Sequence, residues 1–175
     1  MKARYLSAAI RSNTTPLNSR AAVDLTNIQV RQYRPEDRSA CLGIFDSNVP
    51  SSFTAAERPE FAAFLDALPG PYLILELDGR AVACGGYAAG DNPVCADLCW
   101  GMVQHELQGS GLGRLLTEVR IQRIRDDPSF TEVALRTSHL TEAFYQRMGF
   151  VTERVTMHGI APDLHKCEMR LLLGN

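Results

Sequence analysis

The chain has 175 residues, of which 45% are hydrophobic and 22% are charged, a composition typical of one soluble globular domain rather than a disordered segment. Its formal net charge is -2 at neutral pH, so no general excess of positive charge favours nucleic acid or an anionic membrane as a partner. No apolar run approaches the roughly 18 residues that a helix needs to cross a bilayer. A phosphate-binding site, if present, must therefore be built locally.

The five cysteines and four histidines show no spacing typical of a metal site or a disulfide framework. The cysteines are odd in number and form no Cys-x-x-Cys pair. Buried, reduced thiols are the simpler interpretation, and they favour a cytoplasmic location. We predict no bound metal.

Residues 1–27 differ in composition from the rest of the chain. They carry four basic residues, several serines and threonines, and no acid before Asp24. This composition is found in organelle targeting peptides, and also in flexible tails and extended starts. These alternatives stay open, and a single domain is predicted over residues 28–175.

Hydrophobic periodicity predicts an alternation of strands and helices along that domain. The predicted elements are a strand at 28–32, a helix from Pro35, a helix around 61–68, strands at 72–77, 81–87 and 94–103, a helix from Leu112 to Arg125, a strand at 131–136, a helix at 140–148, and final strands at 150–157 and 167–173. Asp78-Gly79 predicts a tight hairpin between the second and third strands. The order indicates a mixed α/β fold on one central sheet.

The most informative segment, QGSGLGR at residues 108–114, lies between a predicted strand and a predicted helix. A helix that starts there directs unpaired backbone N–H groups and the positive end of its dipole towards one point, and glycines let an anion approach closely. This segment, the cradle, therefore predicts a pyrophosphate site. Arg114 lies in the first helical turn, where a cation is disfavoured by the helix dipole unless it faces a bound phosphate.

Other Gly-rich turns fit this segment less well. A Walker A loop requires a Lys-Ser or Lys-Thr pair that is absent, and a dinucleotide-binding fingerprint begun at Gly109 and Gly111 would need its third glycine where Arg114 stands. A glycine-rich turn without a ligand remains the alternative.

At these residues the sequence resembles the GNAT N-acetyltransferases, whose signature is Gln/Arg-x-x-Gly-x-Gly/Ala after the fourth strand. Gln108, Gly111 and Gly113 match it, although His105 stands where many relatives have proline. A second block, residues 143–150, matches the pattern in which a tyrosine precedes a Gly-Phe pair. The resemblance implies a largely antiparallel central sheet of six or seven strands, flanked by about four helices.

The resemblance also implies that acetyl-CoA is the cosubstrate. The cradle amides would hold its pyrophosphate, and the end of the preceding strand would pair with its pantetheine arm. The cofactor-binding residues implied in this way are Met102, Val103, Gln108, Gly109, Ser110, Gly111, Leu112, Gly113 and Arg114.

Two side chains are candidates for acid–base chemistry. Tyr145 occupies the position of the family's general acid, and a tyrosine, which usually titrates near pH 10, can protonate a CoA thiolate while staying neutral at working pH. Asp97 lies in an otherwise apolar strand, where some relatives carry a glutamate that acts as a base through water. The alternatives are a packed tyrosine ring in the core, and an Asp97 that faces outward or pairs with an arginine.

The loop at residues 48–53 and the adjacent Glu57 correspond to the acceptor-binding region of the family. Asn48, Phe53 and Glu57 are therefore candidate acceptor-binding residues. The acceptor is expected to be a small-molecule or peptide amine. A non-catalytic acyl-CoA-binding module and a nucleotide-binding oxidoreductase remain the rival functions, and a homodimer stays open, as is common for chains of this size.

Overall fold

The computed structural model describes residues 23–174. Residues 1–22 of the predicted N-terminal extension lie outside the described residues. In the described part of the extension, Leu25–Asn27 form a 3-10 turn. The strands are β1 Ile28–Gln32, β2 Tyr72–Leu77, β3 Arg80–Ala89, β4 Cys95–Val103, β5 Glu132–Ser138, β6 Val151–Ala161 and β7 Leu164–Leu172. The helices are α1 Arg38–Ser47, α2 Arg58–Asp66, α3 Leu112–Arg125 and α4 His139–Gln146.

The seven strands form one sheet in the order β1-β2-β3-β4-β5-β7-β6. All neighbouring pairs are antiparallel except β4 and β5, which are parallel because α3 crosses over between them. The predicted fold class is confirmed, with seven strands and four α-helices in the described part of the chain.

Helices cover both faces of the sheet. Helices α1 and α2 pack on one face with an aromatic cluster that includes Phe45, Phe61 and Trp100. Leu112 and Leu116 of α3 and Phe144 of α4 pack on the opposite face. The face carrying α3 and α4 is called the inner face below, and the face carrying α1 and α2 the outer face.

Local turn chemistry explains most element boundaries. Asp78 and Gly79 have φ angles of 50° and 75°, the two positive values that a tight hairpin requires, so the predicted turn is confirmed. The first helix differs from the prediction, because Pro35–Asp37 form a 3-10 turn and α1 begins at Arg38. The last hairpin is longer than predicted, since β6 and β7 continue to a two-residue turn at residues 162–163.

The cysteines have the predicted state: all five are free and buried. The thiols of Cys41 and Cys84, from α1 and β3, are hydrogen-bonded to each other, and that contact together with burial raises the pKa of Cys41. Within residues 23–174, no helix combines the length and apolar character needed to span a membrane.

Candidate active site

The cradle forms at the end of β4. A 3-10 turn at His105–Leu107 follows the strand, and Gly111 becomes the N-cap of α3 with a φ of 93°. Gly109 is also left-handed, with a φ of 82°. Because the N-cap residue has no side chain, none of its own atoms covers the first amides of α3, where a helix dipole favours an anion. Residues 108–111 thus form the predicted corner between strand and helix.

Arg114 lies at the edge of this corner and is strongly exposed. Its Nε atom donates to Glu118 Oε1 at 2.7 Å, one turn further along α3. An exposed pair of this kind contributes little to stability, because water and salt screen it. The guanidinium is therefore held weakly enough to turn towards a phosphate group.

The side chain of Gln108 faces the interior of the protein rather than solvent. Its side chain is 6% exposed, and its Nε2 atom donates to Asn48 Oδ1 at 2.5 Å. Asn48 Nδ2 in turn donates to the carbonyl oxygen of Val103 at 2.9 Å and to that of Ile44 at 2.8 Å. This chain of amides ties the cradle to the end of β4 and to α1.

The three predicted acceptor-binding residues of the 48–57 region make contacts within the protein. Asn48 is fully buried, and Phe53, 2% exposed, stacks on Phe45 with ring centroids 4.8 Å apart. Glu57 accepts hydrogen bonds from the backbone N–H and the hydroxyl of Thr54, in a capping box that begins α2. Asn48 and Phe53 therefore expose almost no surface, and the acceptor-binding role of these three residues stays a prediction.

Replacing Asn48 by alanine is expected to lower the free energy of unfolding by about 2 kcal/mol, because Gln108 and the Val103 carbonyl would lose a buried partner. The affinity for CoA should fall as well, since Gln108 would no longer hold the cradle. Denaturant unfolding and calorimetric titration with CoA measure the two effects.

Asn92 provides the control, because it lies in an exposed turn and its side chain accepts a hydrogen bond from the Val94 N–H at 3.4 Å. Asn92→Ala should change both quantities little. Equal losses in the two variants would show that Asn48 does not connect to the cradle.

Strands β4 and β5 separate beyond their first three residues. Their pairing covers Cys95–Asp97 and Glu132–Ala134 and then stops, whereas both strands continue. The separation coincides with an irregularity in β4, where Trp100 has a φ of 39° and the register with β3 shifts. The resulting β4–β5 cleft lies between residues 98–103 and 135–138, and it runs towards the cradle. Met102 and Val103 lie on this cleft-side strand end.

Tyr145 lies on the inner face, in the core beneath the sheet. It is fully buried, and its ring packs edge-on against Phe144 and Phe150, with centroid distances of 4.9 and 5.7 Å. The backbone carbonyl of Tyr145 accepts from Met148 and Phe150, which closes α4 and starts the next strand. The phenol is hydrogen-bonded to the guanidinium of Arg120, on α3.

Asp97 lies on the outer face, because its neighbours Ala96 and Leu98 pack on the inner face and side chains alternate along a strand. Its carboxylate is 3.9 Å from Arg136 Nη1. Burial raises the pKa of Asp97, and nearby Arg136 only partly opposes that effect. Asp97 and Tyr145 therefore approach the sheet from opposite faces.

Beside Asp97, the outer face holds an open depression of about 320 Å³ over β5, β7 and β6, which α1 and α2 do not cover. Its charged side chains pair along the sheet: Arg136 lies 3.6 Å from Glu168, and Arg170 contacts both Glu132 and Glu153. The depression therefore presents charges of both signs next to Asp97.

Three histidines meet near the tip of the β6–β7 hairpin, which their sequence positions did not indicate. The ring of His165 lies 4.7 Å from that of His139 and 5.2 Å from that of His158. The Nδ1 atom of each ring accepts a backbone N–H. Within residues 23–174, no group of three His, Cys, Asp or Glu side chains has the geometry of a metal site.

Comparison with known proteins agrees with the predicted family and fold. The model of the acetyltransferase (GNAT) family matches residues 28–150. The sequence matches none of the curated proteins with which it was compared.

Several solved structures share the fold. A protein described as a GNAT-family acetyltransferase from Desulfovibrio desulfuricans superposes with a TM-score of 0.74 and 22% identity, over 84% of this chain and 99% of that one. The ribosomal-protein-S18-alanine N-acetyltransferase of Escherichia coli gives 0.72 and 18%, over 85% and 95%. An acetyltransferase from Salmonella typhimurium, solved with its cofactor acetyl-CoA, gives 0.69 and 19%, over 85% and 95%.

Proposed function

This chain belongs to the GNAT family of acetyltransferases, and we propose that it transfers an acetyl group from acetyl-CoA to a primary amine by direct attack in a ternary complex. The observation that carries the proposal is the uncapped start of α3 at Gly111, where the cradle opens at the end of the β4–β5 cleft. A pyrophosphate at the cradle would lead the pantetheine arm into that cleft.

The donor and the acceptor would meet from opposite faces of the sheet. From Leu98 to Met102, the edge of β4 has no strand partner on its β5 side and offers backbone groups to the amides of pantetheine, as a neighbouring strand would. The Val103 carbonyl at the end of this edge already accepts from Asn48. The acceptor would come over the outer face, past the charged depression next to Asp97. Holding both reactants in this geometry supplies much of the rate, on the order of 7–11 kcal/mol for well-oriented partners.

The chemistry then requires two proton transfers. The neutral amine attacks the thioester carbon, a C–N bond forms, and the C–S bond breaks. Tyr145 donates its phenolic proton to the departing sulfur, and Asp97 accepts the proton of the amine through water. The phenolate then takes a proton from solvent and the protonated Asp97 releases one to solvent, so the cycle ends with an amide, CoA thiol and the original enzyme.

The amine is best identified by a panel of acceptors. Release of free thiol from acetyl-CoA should rise above the rate of hydrolysis with at least one of a peptide with a free N-terminus, a lysine peptide, a polyamine, an amino acid and an aminoglycoside. Saturable CoA binding without acetyl transfer to any of them would favour a non-catalytic acyl-CoA-binding module instead.

Asp97→Asn tests the base and has a defined pH dependence. Because burial raises the pKa of Asp97, its contribution to stability is fully present at acid pH and is lost as the pH rises through the native pKa. Asparagine resembles the protonated form, so Asp97→Asn should raise the melting temperature at pH 7–8 and change it little near pH 4. Turnover should fall about 100-fold at pH 7, at the lower end of the range of base catalysis.

Both readouts are needed to separate the roles of this carboxylate. A more stable variant with unchanged turnover would remove Asp97 from the mechanism and leave the proton to solvent. If Asp97→Asn were less stable than the wild type at pH 8, the raised pKa of Asp97 would be contradicted.

A further inference from the structure

Arg120 is a buried cation that the acetyl-transfer mechanism above does not use. It is fully buried in the core between α3 and the sheet. Its Nε atom donates to the Leu116 carbonyl at 3.2 Å, and its two Nη atoms donate to Gly86 O at 3.4 Å and Thr117 Oγ1 at 3.3 Å. These are all neutral oxygens, and within residues 23–174 no carboxylate lies within 4 Å of the guanidinium.

Such a position is energetically unfavourable. Removing an ion from water costs several kcal/mol even after the protein relaxes, and neutral oxygens compensate only part of that cost. Burial lowers the pKa of Arg120, but arginine stays charged in proteins. A buried charge without a counterion is expected to have a task, because a leucine or methionine would fill the same space at lower cost.

The backbone of the sheet makes room for this guanidinium. A Cβ atom at Gly101 would lie 2.8 Å from both Nη atoms, and one at Gly85 would lie 3.1 Å from Nη1. The charge therefore rests directly on β3 and β4, at the irregularity where β4 leaves β5. Three titratable groups lie near it, the phenols of Tyr145 and Tyr72 and the thiol of Cys99, and of these Tyr145 is its hydrogen-bond partner.

We propose that Arg120 is a positioning residue that holds the Tyr145 phenol towards the β4–β5 cleft and stabilises the negative charge left on it after proton donation. The inference rests on the proposed function, in which Tyr145 gives its proton to the CoA sulfur. The phenolate formed in that step is the anion that Arg120 lacks, and it exists only during turnover. Preorganised donors of this kind act strongly where water is excluded.

The test uses stability and activity together. Arg120→Met keeps an unbranched chain as far as the position of Nε and removes the charge, so it should leave the melting temperature unchanged or higher while lowering kcat about 10- to 100-fold. Arg120→Lys keeps the charge and should recover much of that loss. Arg123→Met is the matched control on the same helix, half-buried and remote from Tyr145, and should change kcat less than about twofold.

A double-mutant cycle with Tyr145→Phe identifies the route of the effect. If Arg120 acts through the phenol, Arg120→Met should cost little once Tyr145 is phenylalanine, so the double variant should match Tyr145→Phe within about threefold. Additive losses, or a kcat of Arg120→Met equal to wild type, would overturn the proposal. A loss of kcat in Arg120→Met that is seen only with acyl-CoA donors carrying a carboxylate would also overturn the proposal, because Arg120 would then act on the donor rather than on the phenol.

The same two variants distinguish a failure of the proposed role of Arg120 from a failure of the proposed general-acid role of Tyr145. If Tyr145→Phe alone leaves kcat unchanged, the general-acid assignment fails and the proposal for Arg120 fails with it. If Tyr145→Phe lowers kcat while Arg120→Met does not, only the role of Arg120 is refuted.

Discussion

Tyr145→Phe is expected to lower kcat for acetyl transfer about 100- to 1,000-fold while changing the affinity for CoA less than about twofold, within the range that general acids contribute. The substitution removes one oxygen and keeps the ring, so the edge-on contacts with Phe144 and Phe150 persist. The thiolate would then leave without a proton donor. Steady-state turnover and calorimetric CoA titration measure the two quantities.

Tyr87→Phe is the matched control for this experiment. Tyr87 lies on β3, packs partly buried against the same core, and loses the same oxygen. It should retain wild-type turnover. If Tyr145→Phe also turned over at the wild-type rate, Tyr145 would have no catalytic role and would serve only to pack the core.

Gly111→Ala is expected to weaken CoA binding about 100-fold or more. Its φ of 93° disfavours any side chain, by roughly 1–2 kcal/mol, and the added Cβ would lie 3.1 Å from Leu25 Cδ1. Relief of that strain would shift the first amides of α3, which are the groups expected to hold the pyrophosphate. CoA affinity should therefore fall by more than the loss of stability explains.

Gly79→Ala separates the two effects. Gly79 has a comparable φ of 75°, in the β2–β3 turn, and an added Cβ there meets nothing within 4 Å. Both variants should lose stability, but only Gly111→Ala should lose CoA. Equal CoA affinity in the two variants would place the pyrophosphate elsewhere.

The cradle could be predicted from sequence because it depends on local chain geometry. A strand, a glycine-rich turn and a helix follow one another within about twenty residues, and each is indicated by its own pattern. The hairpin at Asp78-Gly79 was predictable for the same reason. Such features require no knowledge of which distant segments meet.

Asn48 and the histidine cluster depend on distant contacts, and here the sequence was insufficient. Asn48 resembles a solvated loop residue until α1 is packed against the end of β4, 55 residues away. The three histidines belong to α4 and to both strands of the last hairpin. Neither arrangement has a local pattern.

The environment of Arg120 could be predicted from sequence only in part. It occupies the inward stripe of α3, four residues after Leu116 and four before Ile124, so helical spacing alone places it in the core. The arginines and the glutamate near Arg120 in the sequence are typical of a solvated helix face, so they obscure the indication from helical spacing that Arg120 is buried. What spacing could not show is the absence of an acidic partner, which depends on the packing of the whole sheet.

The most direct test of the cradle is calorimetric titration with two ligands that differ in the pyrophosphate. CoA should bind the wild-type chain with a single saturable transition. Phosphopantetheine keeps the pantetheine arm but lacks the diphosphate and the adenosine. It should bind at least about 100-fold more weakly than CoA, as expected if charge-assisted contacts to the diphosphate dominate. Equal affinity for both ligands, or NADH displacing CoA, would contradict the account.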